Sequence, residues 1–440
     1  MESELSQRPI RVIVTDDLAR SRLTVFFRLL LAIPHLVWVA LWGIAATVVA
    51  FVLWLAILIE GRAPVSLHEF VASYLRYATH LAAYLNLAAN PYPGFTGLPG
   101  YPVDVEIDPP ARQGRLGAAF RLVLAVPSLL LMLALGGSTG TSGTASFGYG
   151  AAAGATAACA FLGWFACLVL GRMPRGLRDL AAYGIGYSAQ ALGYLLLLTD
   201  RYPSTDPSLI SPAQMLPAHP VRVEVADGLA RSRLTVFFRL LLALPHLFWL
   251  SLWWLVIPLV AIAAWVSALA TGRVPSALHR FLAAFTRYSA HLFSFLFVVG
   301  GPFPGFVGRQ GSYPIDIQID GPVRQPRLVT LFRLLLAIPA FIVGNALGGA
   351  LFVVGFLGWW AALFTGRMPG GLRDLGAACI RYNAQATAYA LLLTGRYPYA
   401  GPALHDRPAP EQRVLDADPR DAPEHVDDVI PTVDAMPEPA

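Results

Sequence analysis

Apolar stretches and short polar turns alternate along this chain in a pattern that occurs four times. Residues 23–34 read LTVFFRLLLAIP, and close copies stand at 116–127, 234–245 and 328–339. Each copy leads into an apolar run that ends at a Gly-Arg-x-Pro turn, at 61–64, 171–174, 272–275 and 366–369. Self-similarity at a regular spacing is the signature of a repeat architecture. The chain is therefore predicted to be a tandem array of four repeats.

Three segments within each repeat differ in periodicity. A β-branched, alternating stretch predicts a short strand, at 10–14, 103–108, 221–225 and 315–320. The long apolar run follows the strand. Beyond the Gly-Arg-x-Pro turn of the first repeat, apolar residues recur at i, i+3 and i+4 from about residue 66 to residue 87. This spacing predicts an amphipathic third helix.

The apolar run is too long for one straight crossing of a membrane. In the first repeat it covers about 38 residues, or roughly 57 Å as a helix, whereas a bilayer core needs about 20 residues. A helix that kinks at Pro34 and spans once is one interpretation, and a helical hairpin is the other. In the second repeat, about 17 Gly-, Ser- and Thr-rich residues follow Gly137, and unpaired backbone of this kind is costly in mid-bilayer. We therefore favour the hairpin, with turns also near Gly43, Trp254 and Gly348.

The predicted strands carry alternating charge. Arg11 and Arg222 stand in the odd repeats where Asp104 and Asp316 stand in the even ones. Opposite charges on neighbouring strands favour pairing. We expect all four strands to form one small sheet, with Arg11 near Asp104 and Arg222 near Asp316. The alternative is four solvated strands that never meet.

The composition indicates a membrane protein. Hydrophobic residues make up 56% of the chain and charged residues 13%, whereas a soluble domain carries roughly 25% charged residues. The predicted fold class is a mostly α, integral membrane protein with about eight membrane helices and a small cytoplasmic β-sheet. Because arginines cluster on the strand side, the positive-inside rule predicts a multi-pass cell-membrane protein with both termini in the cytoplasm.

The chain divides into four repeats and a tail. The repeats are predicted over residues 9–97, 101–204, 219–308 and 313–401. The first resembles the third most, and the second resembles the fourth, so the plan is a duplicated pair. Residues 405–440 carry ten acidic residues against three arginines, and such a segment is expected to be disordered because it buries too little apolar surface. This acidic tail is a candidate docking segment for an unknown protein partner.

Three motifs carry a resemblance to a known family. FRLLLAIPH at 27–35, GRAP at 61–64 and LLLLTDRYP at 195–203 resemble the bacterial membrane-protein family catalogued as domain of unknown function 4389. The resemblance covers about residues 9–401, in four tandem copies. It implies a membrane location and brings no catalytic residues. The chain departs from the pattern where Ser128 and Ala340 replace His35 in the even repeats, and at the insertion of the second repeat.

The candidate functional residues lie on the polar face of the third helices. Arg76 and His80 are four residues apart and share that face. Their counterparts are Gln190, Arg287, His291, Arg381 and Gln385. If the four helices surrounded one axis, these side chains would line a site for an anion or a lipid phosphate. The simpler interpretation is a polar stripe that faces water or head groups.

No motif indicates catalysis. The histidines lack metal-ligand spacing, and Cys159, Cys167 and Cys379 are predicted to be buried thiols. We expect no enzymatic activity, no cofactor and no binding of nucleic acid. The favoured function is structural, with contacts to the lipid bilayer, its anionic head groups or a protein partner. The alternative is a transporter or channel built from two parallel halves.

Overall fold

The chain forms four copies of one structural unit. The computed structural model describes residues 8–136, 154–210 and 218–404, and the predicted acidic tail and nearly all of the insertion lie outside these ranges. Each unit contains a short strand, a short helix, a long apolar run and a helix that returns along it, which we name the return helix. The first repeat consists of β1 (Ile10–Val14), α1 (Arg22–Phe26), α2 (Arg28–Glu60) and α3 (Val65–Leu85).

The other repeats follow the same order. The second consists of β2 (Val103–Ile107), α4 (Arg115–Ala119), α5 (Arg121–Gly136), α6 (Ala155–Leu170) and α7 (Arg175–Leu195), and α8 (Pro207–Ile210) follows it. The third consists of β3 (Val221–Val225), α9 (Arg233–Phe237), α10 (Arg239–Thr271) and α11 (Ser276–Leu296). The fourth consists of β4 (Ile315–Ile319), α12 (Arg327–Leu331), α13 (Arg333–Thr365) and α14 (Gly370–Ala390). The predicted strands and third helices are confirmed.

The predicted hairpin is wrong in the three repeats whose apolar run is described throughout. Helices α2, α10 and α13 are each continuous over 33 residues, and Gly43, Trp254 and Gly348 lie inside them. Gly43 permits close packing instead of a turn, because a Cβ there would lie 2.9 Å from a tyrosine hydroxyl of α3. The break in the first repeat falls at Phe27, between α1 and α2, and the helix continues through Pro34.

The insertion divides the long helix of the second repeat. Helices α5 and α6 have 16 residues each. The hydroxyl of Thr156, in the first turn of α6, donates to the carbonyls of Leu135 at 3.0 Å and Gly136 at 2.5 Å. Helix α6 therefore begins close to the end of α5. The prediction that the insertion forms a hairpin tip concerns residues outside the described ranges.

The strands form two sheets, so the prediction of one four-stranded sheet is wrong. Strand β1 pairs antiparallel with β2, and β3 pairs antiparallel with β4. In the first sheet Val12 stands opposite Val105, and Ile10 stands opposite Ile107. The two strands are therefore related by an approximate two-fold axis that passes between Val12 and Val105. Pairing joins an odd repeat to the next even one, as the alternation in charge suggested.

The predicted partners of the strand arginines are wrong as well. Arg11 stands opposite Glu106, and its guanidinium lies 3.3 Å from that carboxylate. Asp104 stands opposite Ile13, and its carboxylate points at the return helix. In the second sheet Arg222 pairs with Asp320 at 3.0 Å, whereas Asp316 stands opposite Glu224.

Reciprocal contacts link the two repeats of each pair. The indole Nε1 of Trp54 in α2 donates to the carbonyl of Ala118 in α4, at 2.9 Å. The equivalent Trp164 in α6 donates to Val25 in α1, at 3.2 Å. In the second pair the same exchange joins Trp265 to Thr330 and Trp359 to Val236, each at 2.8 Å. Each long run thus ends against the short helix of the partner repeat.

The two pairs meet through their even repeats. Helix α13 packs against α5 and α6, and the hydroxyl of Tyr399 donates to the buried carboxylate of Asp179 in α7. Half of the residues in the apolar stretch of α13 are buried, whereas 17% are buried in the corresponding stretches of α2 and α10. The odd repeats therefore lie at the outside, where their long helices keep exposed apolar faces.

The return helices lie between the long helices and the sheets. One face of α3 packs on α2, where Tyr77 Oη lies 2.7 Å from His35 Nδ1. The opposite face carries Arg76, whose Nε donates to the carbonyl of Val105 in β2, at 3.1 Å. The predicted amphipathic helix is thus covered on both sides, and its polar face binds the sheet.

Candidate functional site

A histidine–aspartate pair connects each odd return helix to its sheet. His80 Nε2 lies 2.7 Å from Asp104 Oδ1, and His291 Nε2 lies 2.7 Å from Asp316 Oδ1. All four residues are buried. A buried carboxylate needs donors, and these imidazoles supply one each.

The donors around Asp104 stabilise its charged form. Burial raises the pKa of this carboxyl, but hydrogen bonds from His80 and from the backbone N–H groups of Gly100 and Val105 outweigh it and hold the pKa below its ordinary value. Asp316 has the same balance, with burial opposed by His291 and two backbone N–H groups, and its pKa is also lowered. Both aspartates therefore act as charged centres that organise the loop before each even strand.

The even return helices hold the sheets through amides. Gln385 Nε2 donates to the carbonyl of Val221 in β3 at 2.9 Å, and its Oε1 accepts from the N–H of Tyr399 at 3.1 Å. Gln190 makes the equivalent contacts with the carbonyl of Ile10, at 3.5 Å, and with the N–H of Ser204, at 3.0 Å. In each pair of repeats, the glutamine amide of the even return helix therefore joins the strand of the odd repeat to the segment that follows the even return helix.

Six of the seven predicted site residues fall into two groups of three, one beneath each sheet, and Arg381 binds the segment that follows α14. Arg76, His80 and Gln190 bind the first sheet. Arg287, His291 and Gln385 bind the second. Arg381 donates to the carbonyls of Tyr399, Gly401 and Ala403. Each side chain is directed at the strands or loops of its own pair.

A buried arginine begins every long helix. Arg28 donates to the carbonyls of Tyr84 and Ala89, at the end of α3 and just beyond it. Arg239 does the same for Phe295 and Gly300. Helix ends leave carbonyls without partners in the helix, so these guanidiniums act as caps. The arginine that follows phenylalanine in each repeat is therefore structural.

The Gly-Arg-x-Pro turns end the long helices and present arginine to solvent. Gly61 has φ +72° and donates to Ile57, which closes α2 with a left-handed residue. The glycine carbonyl accepts from the N–H of Gln113 in the partner repeat, at 3.0 Å. The next residue, Arg62, is exposed, as are its counterparts Arg172, Arg273 and Arg367.

The cysteines and histidines form no metal site within the described ranges. Cys159, Cys167 and Cys379 are free and buried, as predicted. No group of three or more His, Cys, Asp or Glu residues that could hold a metal ion occurs in residues 8–136, 154–210 and 218–404.

Sequence reasoning missed the partner of His80. Asp104 was assigned to Arg11 because both charges lie on strands, whereas its partner lies on a helix of the preceding repeat. A signal was present: the odd repeats carry the histidine, at 80 and 291, and the even repeats carry the aspartate, at 104 and 316. A histidine confined to the odd repeats and an aspartate confined to the even ones indicate a contact between the two repeats of a pair.

These contacts define a class of protein: a mostly helical tandem-repeat protein with repeats interlocked in pairs. Within the described residues, three helices are long and apolar enough to cross a membrane. The chain belongs to the family described as a domain of unknown function, DUF4389, whose model matches residues 22–96, 146–205, 233–304 and 327–400. The four matches confirm the predicted tandem copies. Searches of curated proteins and of solved structures return no match.

Proposed function

We propose that this protein is a structural component of the cell membrane, with its long helices in lipid and its two sheets at the cytoplasmic surface. The observation that carries the proposal is the exposed apolar surface of α2 and α10. Leu29, Ile44 and Ile59 of α2 are 73%, 67% and 72% exposed. Exposed apolar patches of this extent mark contact with lipid or with another protein.

The charged side chains support the same division of the molecule. Glu106 is exposed on the first sheet, and Arg222 and Asp320 are exposed at the second. Charges at the bilayer centre are costly. Since the sheets cover the return helices near Arg76 and Arg287, these helices belong at the aqueous side in our proposal. The long helices then supply the contact with lipid, and the number of membrane-embedded segments is smaller than the eight expected from the sequence.

The alternative of a transporter would need the polar faces of the return helices to line one path. In our proposal those side chains stabilise the sheets, because each has a backbone or carboxylate partner there. The proposal therefore includes no substrate path and no catalytic role. It keeps the sheets and the acidic tail as surfaces for a protein partner.

Lipid-quenching of single labels tests the proposal. Val48, 60% exposed near the middle of α2, is replaced by cysteine in the full chain and labelled with an environment-sensitive fluorophore. Glu106→Cys on the sheet is the matched control. In vesicles that contain brominated phosphatidylcholine, we expect strong quenching at position 48 and little at position 106.

The location of the chain is checked in the same preparation. Membranes washed at alkaline pH should retain the protein, because the exposed apolar surface keeps it in lipid. Release into the wash, together with equal fluorescence of both labels in brominated and ordinary lipid, would contradict the proposal.

A further inference from the structure

Three arginines meet where the long helix α2 ends. Arg62 and Arg112 face each other in an isolated antiparallel bridge between the Gly-Arg-x-Pro turn and the partner repeat. Arg115 Nη2 donates to the carbonyl of Ile59, in the last turn of α2, at 2.7 Å. We name Arg62, Arg112 and Arg115 the first arginine triad. All three residues are exposed.

The first triad lacks anionic partners within the described part of the chain. No Asp or Glu oxygen lies within 4.0 Å of its guanidiniums there, although Arg11, half-buried on the first sheet, and Arg222, exposed on the second, each have such a carboxylate. Like charges that stand together repel each other, so a triad without carboxylates is stabilised by an anion from outside the chain.

The second pair of repeats carries the same triad. Arg273, Arg324 and Arg327 occupy the equivalent places at the end of α10, and all three are exposed. Arg327 Nη2 donates to the carbonyl of Ala270 at 2.9 Å, as Arg115 does to Ile59. No carboxylate within the described ranges lies within 4.0 Å of the second triad either. The feature therefore occurs twice, at equivalent places, in two differing sequences.

The other two Gly-Arg-x-Pro turns lack the third arginine. Alanine stands opposite the turn there, because Ala19 bridges Arg172 and Ala230 bridges Arg367. The triads thus distinguish the turns of α2 and α10 from those of α6 and α13. Within the described ranges, the ends of α2 and α10 are the ones that carry three exposed arginines without a carboxylate within 4.0 Å, since Arg175 at the end of α6 has Asp179 as a partner.

Exposed apolar side chains adjoin each triad. Ile59 and Leu116, beside the first triad in sequence, are 72% and 74% exposed, and Leu328, beside the second, is 70% exposed. A cationic group at the edge of an apolar surface suits a ligand with an anionic head and apolar chains. A free anion would gain nothing from these side chains.

We propose that each triad binds the phosphate of an anionic phospholipid head group. Guanidiniums bind phosphate through paired N–H donors, which matches three exposed arginines without a carboxylate partner. This inference rests on the proposed membrane location, and it adds a lipid class and a site to it.

The test measures lipids retained by the full chain. The protein is purified in a neutral detergent, mixed with dioleoyl phosphatidylglycerol or dioleoyl phosphatidylcholine, and analysed by native mass spectrometry. We expect preferential retention of up to two phosphatidylglycerol molecules. Arg273→Gln with Arg324→Gln should remove one of them and weaken its binding about tenfold or more, and Arg62→Gln with Arg112→Gln should remove the other.

The matched control removes two exposed arginines outside the triads, by Arg309→Gln with Arg396→Gln. It should leave retention unchanged. Equal retention of both lipids, an equal loss in the control, or displacement of phosphatidylglycerol by an equal concentration of inorganic phosphate would overturn the inference. Because these outcomes leave lipid quenching at Val48 intact, they are distinguishable from failure of the membrane location itself.

Discussion

The guanidinium of Arg28 lies over the ring of Tyr84, 4.3 Å from its centroid, and donates to the carbonyl of the same residue. The contact joins the first turn of the long helix to the last turn of the return helix. Arg121, Arg239 and Arg333 lie over their own aromatic partners at 4.1, 4.5 and 4.2 Å. Cation–π contact adds to the capping of carbonyls, which explains why this arginine recurs in each repeat.

Arg28→Ala should destabilise the fold by about 2–4 kcal/mol, because buried carbonyls lose charged donors and the ring of Tyr84 loses its partner. The measurement is thermal and denaturant unfolding of the full chain in detergent. Arg309→Ala is the control, since that residue is exposed, and it should change stability by less than about 0.5 kcal/mol. Equal effects in the two variants would show that Arg28 does not act as a cap.

Gly61→Ala should cost about 1–2 kcal/mol, because φ is +72° at this position and a Cβ strains that conformation. Gly117→Ala is the control: the residue lies inside α4, and a Cβ there meets nothing within 4 Å. It should be neutral or slightly stabilising, since alanine favours helix. Unfolding midpoints of the two variants decide the point, and a tolerated Gly61→Ala would count against the turn as described.

Deletion of residues 137–153 should leave a folded protein with one continuous helix in the second repeat. The deletion joins Gly136 to Gly154, which matches Gly348-Gly349 of α13 residue for residue. The resulting helix has 33 residues, the same length as α13. Folded yield and helical circular dichroism in detergent provide the measurement.

The control for this deletion removes Gly154 as well. One residue fewer rotates α6 by about 100° against α5 and turns its buried stripe, which includes Cys159 and Gly163, away from the core. We expect this variant to aggregate. The prediction fails if the shorter and longer deletions behave alike.

The stability of the fold should fall in acid because of Asp104 and Asp316. Their pKa values in the folded chain are lower than the ordinary value of 3.8. A carboxyl with a depressed pKa contributes stability that is present above its unfolded pKa and is lost as the pH falls through the folded one. The loss should therefore begin near pH 4 and continue below it.

Asp104→Asn with Asp316→Asn should lower stability at neutral pH and flatten this acid dependence, measured as unfolding midpoints at a series of pH values. Glu106→Gln is the control, since that carboxylate is exposed on the sheet. An acid dependence that persists in the double variant would assign it to other carboxyls.

The sequence predicted the elements better than the contacts between them. Strand alternation and helical spacing are local, and both strands and return helices stand where they were expected. The hairpin prediction is wrong because it extends the insertion of the second repeat to a turn at Gly43, whereas a glycine inside a long helix equally permits close packing. Asp104 was paired with Arg11 by charge alone, because sequence does not reveal that the carboxylate faces a helix.

Trp54 donates to the second repeat and Trp164 donates to the first. The smallest part of this protein expected to fold by itself is therefore a pair of repeats. A single repeat holds a tryptophan without its acceptor and a strand without its mate, so it should not fold alone. Residues 8–210 expressed by themselves should fold, whereas residues 8–97 should not. Duplicating one copy would add an open strand edge, which invites aggregation. Duplicating two copies adds a complete pair of repeats with both strands paired. Proteins built on this plan are therefore expected to gain repeats two at a time.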